Sequence, residues 1–108
     1  MLRKIECFLM PSKLDPMRDM LIRKGVEGMS ISEVRGFGKS SKVKDGVPQF
    51  EERVKVEIVV HENEVEEILR AIRDLAGLGE IGAGKVFVIP VEDALRLSTR
   101  EHGRSAIF

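Results

Sequence analysis

A chain of 108 residues with eighteen basic and eighteen acidic side chains carries no net charge at neutral pH, which excludes the one-sided cationic footprint of a nonspecific nucleic-acid binder. Its composition, 43% apolar and 33% charged, is that of a globular protein sized for a single domain over 1–108, one that can fold alone and profits from oligomerising. No apolar run approaches the ~20 residues of a membrane span, and the lone Cys7, inside an apolar stretch, reads as a buried thiol of a protein in the reducing cytoplasm.

The opening MLRKIECFLMP has an acidic residue within its short apolar stretch and no small-residue cleavage site, so it reads as a strand over 3–10 rather than a signal peptide. Pro11 ends it. Leu14, Met17 and Leu21 then recur at helical spacing, with Ser12 or Asp15 as the N-cap and Gly25 as the stop. Residues 28–38, GMSISEVRGFG, are rich in β-branched side chains and close in glycines, as a second strand would. The segment KSSKVKDGVPQFEE, 39–52, shows no periodicity and is expected to be a flexible loop, long enough to carry a function.

Residues 53–60, RVKVEIVV, alternate strictly, with Val54, Val56, Ile58 and Val60 on one face and Arg53, Lys55 and Glu57 on the other. A helix over 62–76 follows, with Val65, Ile68, Leu69, Ile72, Leu75 and Ala76 in one stripe. Burying the larger members of that stripe contributes roughly 10 kcal/mol before entropy is subtracted. KVFVIPV, 85–91, is a fourth strand, and a short polar tail closes the chain. Strand, helix, strand, repeated once, predicts an α+β ferredoxin-like βαββαβ fold, with two helices on one face of an antiparallel sheet.

Between the second helix and the fourth strand, GLGEIGAGK contains two nucleotide-binding patterns. Gly77, Gly79 and Gly82 spell G-x-G-x-x-G, and Gly79, Gly84 and Lys85 spell G-x-x-x-x-G-K. Both motifs require a strand before the glycines and a helix after them, because the helix N-terminus receives the phosphates. Here the order is reversed, and Val86 stands where a P-loop needs Ser or Thr. Neither motif has its context. What remains is a turn whose Gly82 and Gly84 allow backbone N–H groups close to an anion, with Lys85 beside it, or a tight turn with no ligand at all.

Read in that order, the residues resemble the PII family of nitrogen-regulatory signal-transduction proteins. The similarity spans essentially the whole chain and is most specific at PSKLD (11–15), EGMSISEVRGFG (27–38) and GEIGAGKVFV (79–88). It implies a homotrimer that binds ATP or ADP, with AMP as a further candidate, in clefts between subunits. It also implies a "T-loop", here 39–52, that acts on a target enzyme or membrane transporter. The implied nucleotide contacts are Ser30, Gly38 and Lys39, then Glu57, Ile58 and Val59, then Gly82, Ala83, Gly84 and Lys85, and in the tail (96–108) Arg96, Leu97 and Ser98. No catalytic residue, metal site, nucleic-acid partner or membrane insertion is implied.

The departures from the family pattern are informative. Ser30 replaces the usual Thr, Ala83 the acidic residue of G-D-G-K, Leu78 the Thr or Ser that opens that signature, and Ser98 the second arginine of R-x-R. One lost charge-assisted phosphate bond is worth ~1.5–3 kcal/mol, or about 10- to 100-fold in affinity, so di- and monophosphates could compete with a triphosphate. Ser40 takes the place of the glutamine that helps hold magnesium and 2-oxoglutarate, which argues for weak or absent 2-oxoglutarate sensing and leaves magnesium open. Arg53 replaces a lysine near the loop's end. The loop is shorter than usual, and the chain has no Tyr to uridylylate.

Other readings are weaker. His61 ends a strand and His102 lies in the tail, both expected to be solvated, although His102 near the tail arginines could touch a phosphate. Glu57 could serve as a general base or simply be ion-paired, and Lys39, Lys42 and Lys44 make a solvated face more readily than an RNA patch. The alternative to a nucleotide regulator is a ferredoxin-like trimer acting as a small-molecule or metal-tolerance module, in which the glycine turn is purely structural.

Overall fold

The computed structural model describes residues 1–77 and 84–107. Strand β1 (Leu2–Leu9) is followed by a 3-10 turn over Pro11–Lys13 and helix α1 (Leu14–Arg23). Then come β2 (Ser30–Gly36), a small hairpin of β3 (Val43–Lys44) and β4 (Val47–Pro48), and the long β5 (Glu51–His61). A second 3-10 turn over Glu62–Glu64 leads into α2 (Val65–Ala76), and β6 (Lys85–Val91) completes the sheet. The four long strands pair in the order β2-β5-β1-β6, every pair antiparallel. This is the expected ferredoxin-like βαββαβ arrangement.

Alternation along the two central strands explains the layering. Ile5, Cys7 and Leu9 of β1 stand opposite Ile58, Val56 and Val54 of β5, so all six point to one face. There they meet Met17, Met20 and Leu21 of α1 and Ile68 and Ile72 of α2 in a single buried cluster, with Val65, Leu69 and Leu75 packed at its margin. Cys7 lies within it, and burial pushes its thiol up to about 11. The opposite face carries Lys4, Glu6, Phe8, Lys55 and Glu57, and neither α1 nor α2 covers it.

The helix ends are closed locally. Neither Ser12 nor Asp15 caps α1: the 3-10 turn begins at Pro11, and no side chain bonds to the first free N–H groups of either segment. Its C-terminus ends as expected at Gly25, whose φ of 85° permits the paired bonds from Gly25 N–H to Ile22 O (3.0 Å) and from Val26 N–H to Leu21 O (3.0 Å). Before α2, His61 and Glu64 form a reciprocal capping box, so His61 is engaged in structure rather than merely solvated.

The 39–52 segment departs from the expected irregular loop. Val43 pairs with Pro48 and Lys44 with Val47 across Asp45-Gly46, both at positive φ (51° and 77°), the geometry of a two-residue hairpin turn. At its base, β5 begins at Glu51, two residues earlier than the alternation indicates, and Phe37 meets Phe50 with ring centroids 5.9 Å apart.

Candidate functional site

Among the described residues, expected contacts line two of the cavities along the sheet. The first, about 570 Å³, forms where β2 ends, the hairpin departs and β6 begins. Phe8, Val34, Phe37 and Phe87 supply its apolar wall. Phe8 and Phe87 stack edge to face at 6.1 Å, which makes a rigid aromatic surface on the helix-free side. Arg35, Lys39, Arg53 and Lys85 reach the same space. The Glu51 carboxylate lies 2.9 Å from the Arg53 guanidinium, and no carboxylate among the described residues lines the cavity itself. An apolar wall beside this group of cations suits a ligand with a flat apolar part and a negative tail.

Backbone groups complete that cavity. Gly36, Gly38, Ser40 and Ser41 line it, and Ser41 folds back so that its Oγ accepts from Gly38 N–H at 2.8 Å. Lys85 opens β6 opposite Phe8, so the strand pairing itself fixes where the ammonium emerges. Gly84, at φ 102°, lies against the Phe8 carbonyl.

A second cavity, about 600 Å³, lies farther along, where residues 26–29 lead into β2. Ser30, Lys4, Glu27, Glu57 and Arg96 supply its polar groups, with the chain at Ile58 and Val59. Ser30 and Glu57 are cross-strand partners. The Lys4 ammonium donates to Glu57 at 2.9 Å, and Lys55 stands 3.6 Å from the same carboxylate. Glu6 completes the square, 3.8 Å from Lys4 and 3.7 Å from Lys55. The bond to Lys4 holds the Glu57 carboxyl below the usual carboxylate range, and the same bond raises Lys4. A carboxylate so held is a poor proton acceptor, which leaves Glu57 ion-paired rather than catalytic.

The candidate residues therefore divide between two places within one chain. Gly38, Lys39, Gly84 and Lys85 share the first cavity; Ser30, Glu57, Ile58, Val59 and Arg96 share the second. Leu97 and Ser98 follow Arg96 on an exposed turn and line neither. Gly82 and Ala83 lie outside the described residues. Ser40 and Arg53, both departures from the family pattern, line the first cavity. His102 pairs with Asp93 at 2.9 Å instead of standing free. No cluster of three metal-ligating side chains occurs among the described residues, and none of the described helices is long and apolar enough to cross a membrane.

Phe8, Phe87, Arg35 and Lys4 join the site without having been expected there. Alternation in β1 already put Phe8 and Lys4 on the face opposite Ile5 and Cys7, a signal that was available. Their meeting with β6 and β2 required the sheet order.

Comparison with known proteins bears on this arrangement. Residues 2–101 match the family model described as nitrogen regulatory protein P-II. Proteins of that name from Nostoc punctiforme and Azospirillum brasilense are 38% and 37% identical over 112 residues, covering 98% of this chain and all of theirs. A crystal structure of Arabidopsis thaliana PII bound to citrate superposes with a TM-score of 0.83 at 37% identity, over 97% of this chain and 91% of that one.

Proposed function

The chain belongs to the nitrogen regulatory protein P-II family, whose members are regulators rather than enzymes, and from that premise we propose that it is a cytoplasmic signalling protein that reads an adenine nucleotide. ATP or ADP, with AMP as a competitor, binds in clefts between the subunits of a homotrimer. Residues 1–108 act as one domain, 39–52 serve as the T-loop, and the nucleotide state of the cleft is passed through that loop to a target enzyme or transporter of nitrogen or carbon metabolism.

The observation that carries this reading is the cationic cavity at the base of the hairpin, which no carboxylate among the described residues lines. Lys39 and Lys85 supply phosphate charge, and Gly38 and Gly84 keep the backbone open to it. Because Lys39 is also the first residue of the loop, an anion there bears directly on the loop's conformation. The division of the candidate residues between two cavities suits a cleft shared by neighbours. One subunit offers Gly38, Lys39, Gly84 and Lys85; the next offers Ser30 and the Arg96, Leu97, Ser98 turn, with Glu57, Ile58 and Val59 lining the join. The citrate bound to the Arabidopsis protein is in keeping with an anion-accepting member of this fold. Ser40, which replaces a metal-supporting amide, favours weak or absent 2-oxoglutarate sensing and leaves magnesium without a designated amide ligand, while Ser98, which replaces an arginine, lets di- and monophosphates compete with a triphosphate.

One observation favours the alternative of a trimeric small-molecule or metal-tolerance module. Gly84 has a structural reason to be glycine, its closeness to the Phe8 backbone, so that glycine alone does not argue for a ligand. Calorimetry with ATP, ADP and AMP, each with and without 2-oxoglutarate, separates the readings. The regulator binds a nucleotide and loses it on Lys85→Ala while remaining folded; the alternative releases no heat with any nucleotide.

A further inference from the structure

After β6 the chain makes a turn over 93–103 that carries Arg96 to the rim of the second cavity. The turn is a small closed structure. Arg96 N–H donates to Glu101 O at 2.8 Å, Arg100 N–H to Arg96 O at 2.6 Å and Gly103 N–H to Ala94 O at 3.0 Å, while Leu95 and His102 form a β-bridge. It is also costly in one place, because Arg100 takes φ 64°, the left-handed region that side-chain-bearing residues avoid. No carboxylate among the described residues pairs with the Arg96 guanidinium, and the backbone of this turn sets where its side chain leaves the chain.

Asp93 holds the turn shut. Its Oδ1 accepts from Ala94 N–H at 2.8 Å at one end and from Gly103 N–H at 3.1 Å at the other, and its Oδ2 meets His102 Nδ1 at 2.9 Å. One carboxylate thus joins residues nine and ten positions away in sequence to its own neighbour. We infer that Asp93, clasped to His102, is a positioning residue for the anion site: it touches no ligand, and acts by fixing the turn that presents Arg96 to phosphate. This rests on the proposed role of Arg96 in holding a nucleotide.

A double-mutant cycle on the full chain tests it, with ADP and adenosine as probes. Asp93→Ala should weaken ADP by about 5- to 20-fold, leave adenosine binding unchanged because the missing interaction is with phosphate, and add nothing further in an Arg96→Ala background. Asp93→Asn keeps the Oδ1 acceptor and should restore part of the loss. A ligand-free measurement runs beside it: amide exchange at Arg96 and Gly103 should quicken in Asp93→Ala while amides of the central strands stay protected. Unchanged exchange overturns the clasp whatever the ligand results. Quickened exchange with wild-type ADP affinity, or with a loss additive to that of Arg96→Ala, overturns its link to the anion site. An intact protein that binds no ADP removes the nucleotide reading, and with it the role assigned to Asp93.

Discussion

Gly84 lies so close to Phe8 that a Cβ on the glycine would run into the Phe8 carbonyl oxygen. The residue that admits the chain to β6 is therefore glycine for two independent reasons, that contact and a φ of 102°. Gly84→Ala should lower unfolding free energy by more than about 2 kcal/mol, because backbone must move and the left-handed strain remains. Gly46→Ala, at φ 77° but with nothing within 4 Å, should cost only about 1–2 kcal/mol. Urea titrations of both variants check the ordering; equal costs would mean that the Phe8 contact does not matter.

The core separates burial from mere hydrophobicity. Ile5 and Ile68 are almost fully buried, whereas Ile22 on α1 is 63% exposed. Ile5→Ala and Ile68→Ala should each destabilise by about 2–5 kcal/mol, and Ile22→Ala by less than about 0.5 kcal/mol. The same titrations report all three.

The charged square on the open face makes a signed prediction. Glu57 is held below the ordinary carboxylate range, chiefly by Lys4, so its contribution to stability is present above the unfolded pKa and is lost as pH falls through the lower folded one. Lys4 is raised, so its contribution is present below the unfolded pKa and is lost as pH rises through the higher folded one. Thermal stability should be flat through neutrality with respect to this pair and fall at both extremes. Glu57→Gln should flatten the acid limb; an acid limb identical to wild type would show that the pair contributes nothing.

Cys7 should be inert while the protein is folded. With its thiol at about 11, only about one molecule in a thousand is thiolate at pH 8, and the side chain is 3% exposed. An aromatic disulfide reagent should label it at the rate of unfolding and fully in denaturant. Rapid labelling of native protein would mean that the β1 face opens.

Much of this architecture was legible in the sequence, where periodicity was strong. The alternation of Val54 through Val60 and the stripe from Val65 to Leu75 set the two layers, and the fourth strand lies at 85–91 as read. The hairpin inside 39–52 was missed although Lys44-Asp45-Gly46-Val47 carries its turn signal, since two-residue strands are too short to show a period. The order read around the glycines, helix before and strand after, is the order of α2 and β6 in the fold. What could not be read was anything that depends on strands meeting: Phe8 against Phe87, the division of the candidate residues into two cavities, and the closing of the Arg96 turn by Asp93. In the linear chain Asp93 and His102 are ordinary polar residues of a tail; only the fold puts them 2.9 Å apart.

The central claim is that the cations around the first cavity hold the phosphates of an adenine nucleotide. Titration calorimetry of ADP and ATP into the wild type and into Lys85→Ala, with circular dichroism and sedimentation to verify the folded assembly, tests it most directly. Saturable binding by the wild type, weakened at least about tenfold in a folded Lys85→Ala, is the predicted result. Wild-type protein that releases no heat with either nucleotide, or a Lys85→Ala variant that binds as tightly as its parent, would contradict it.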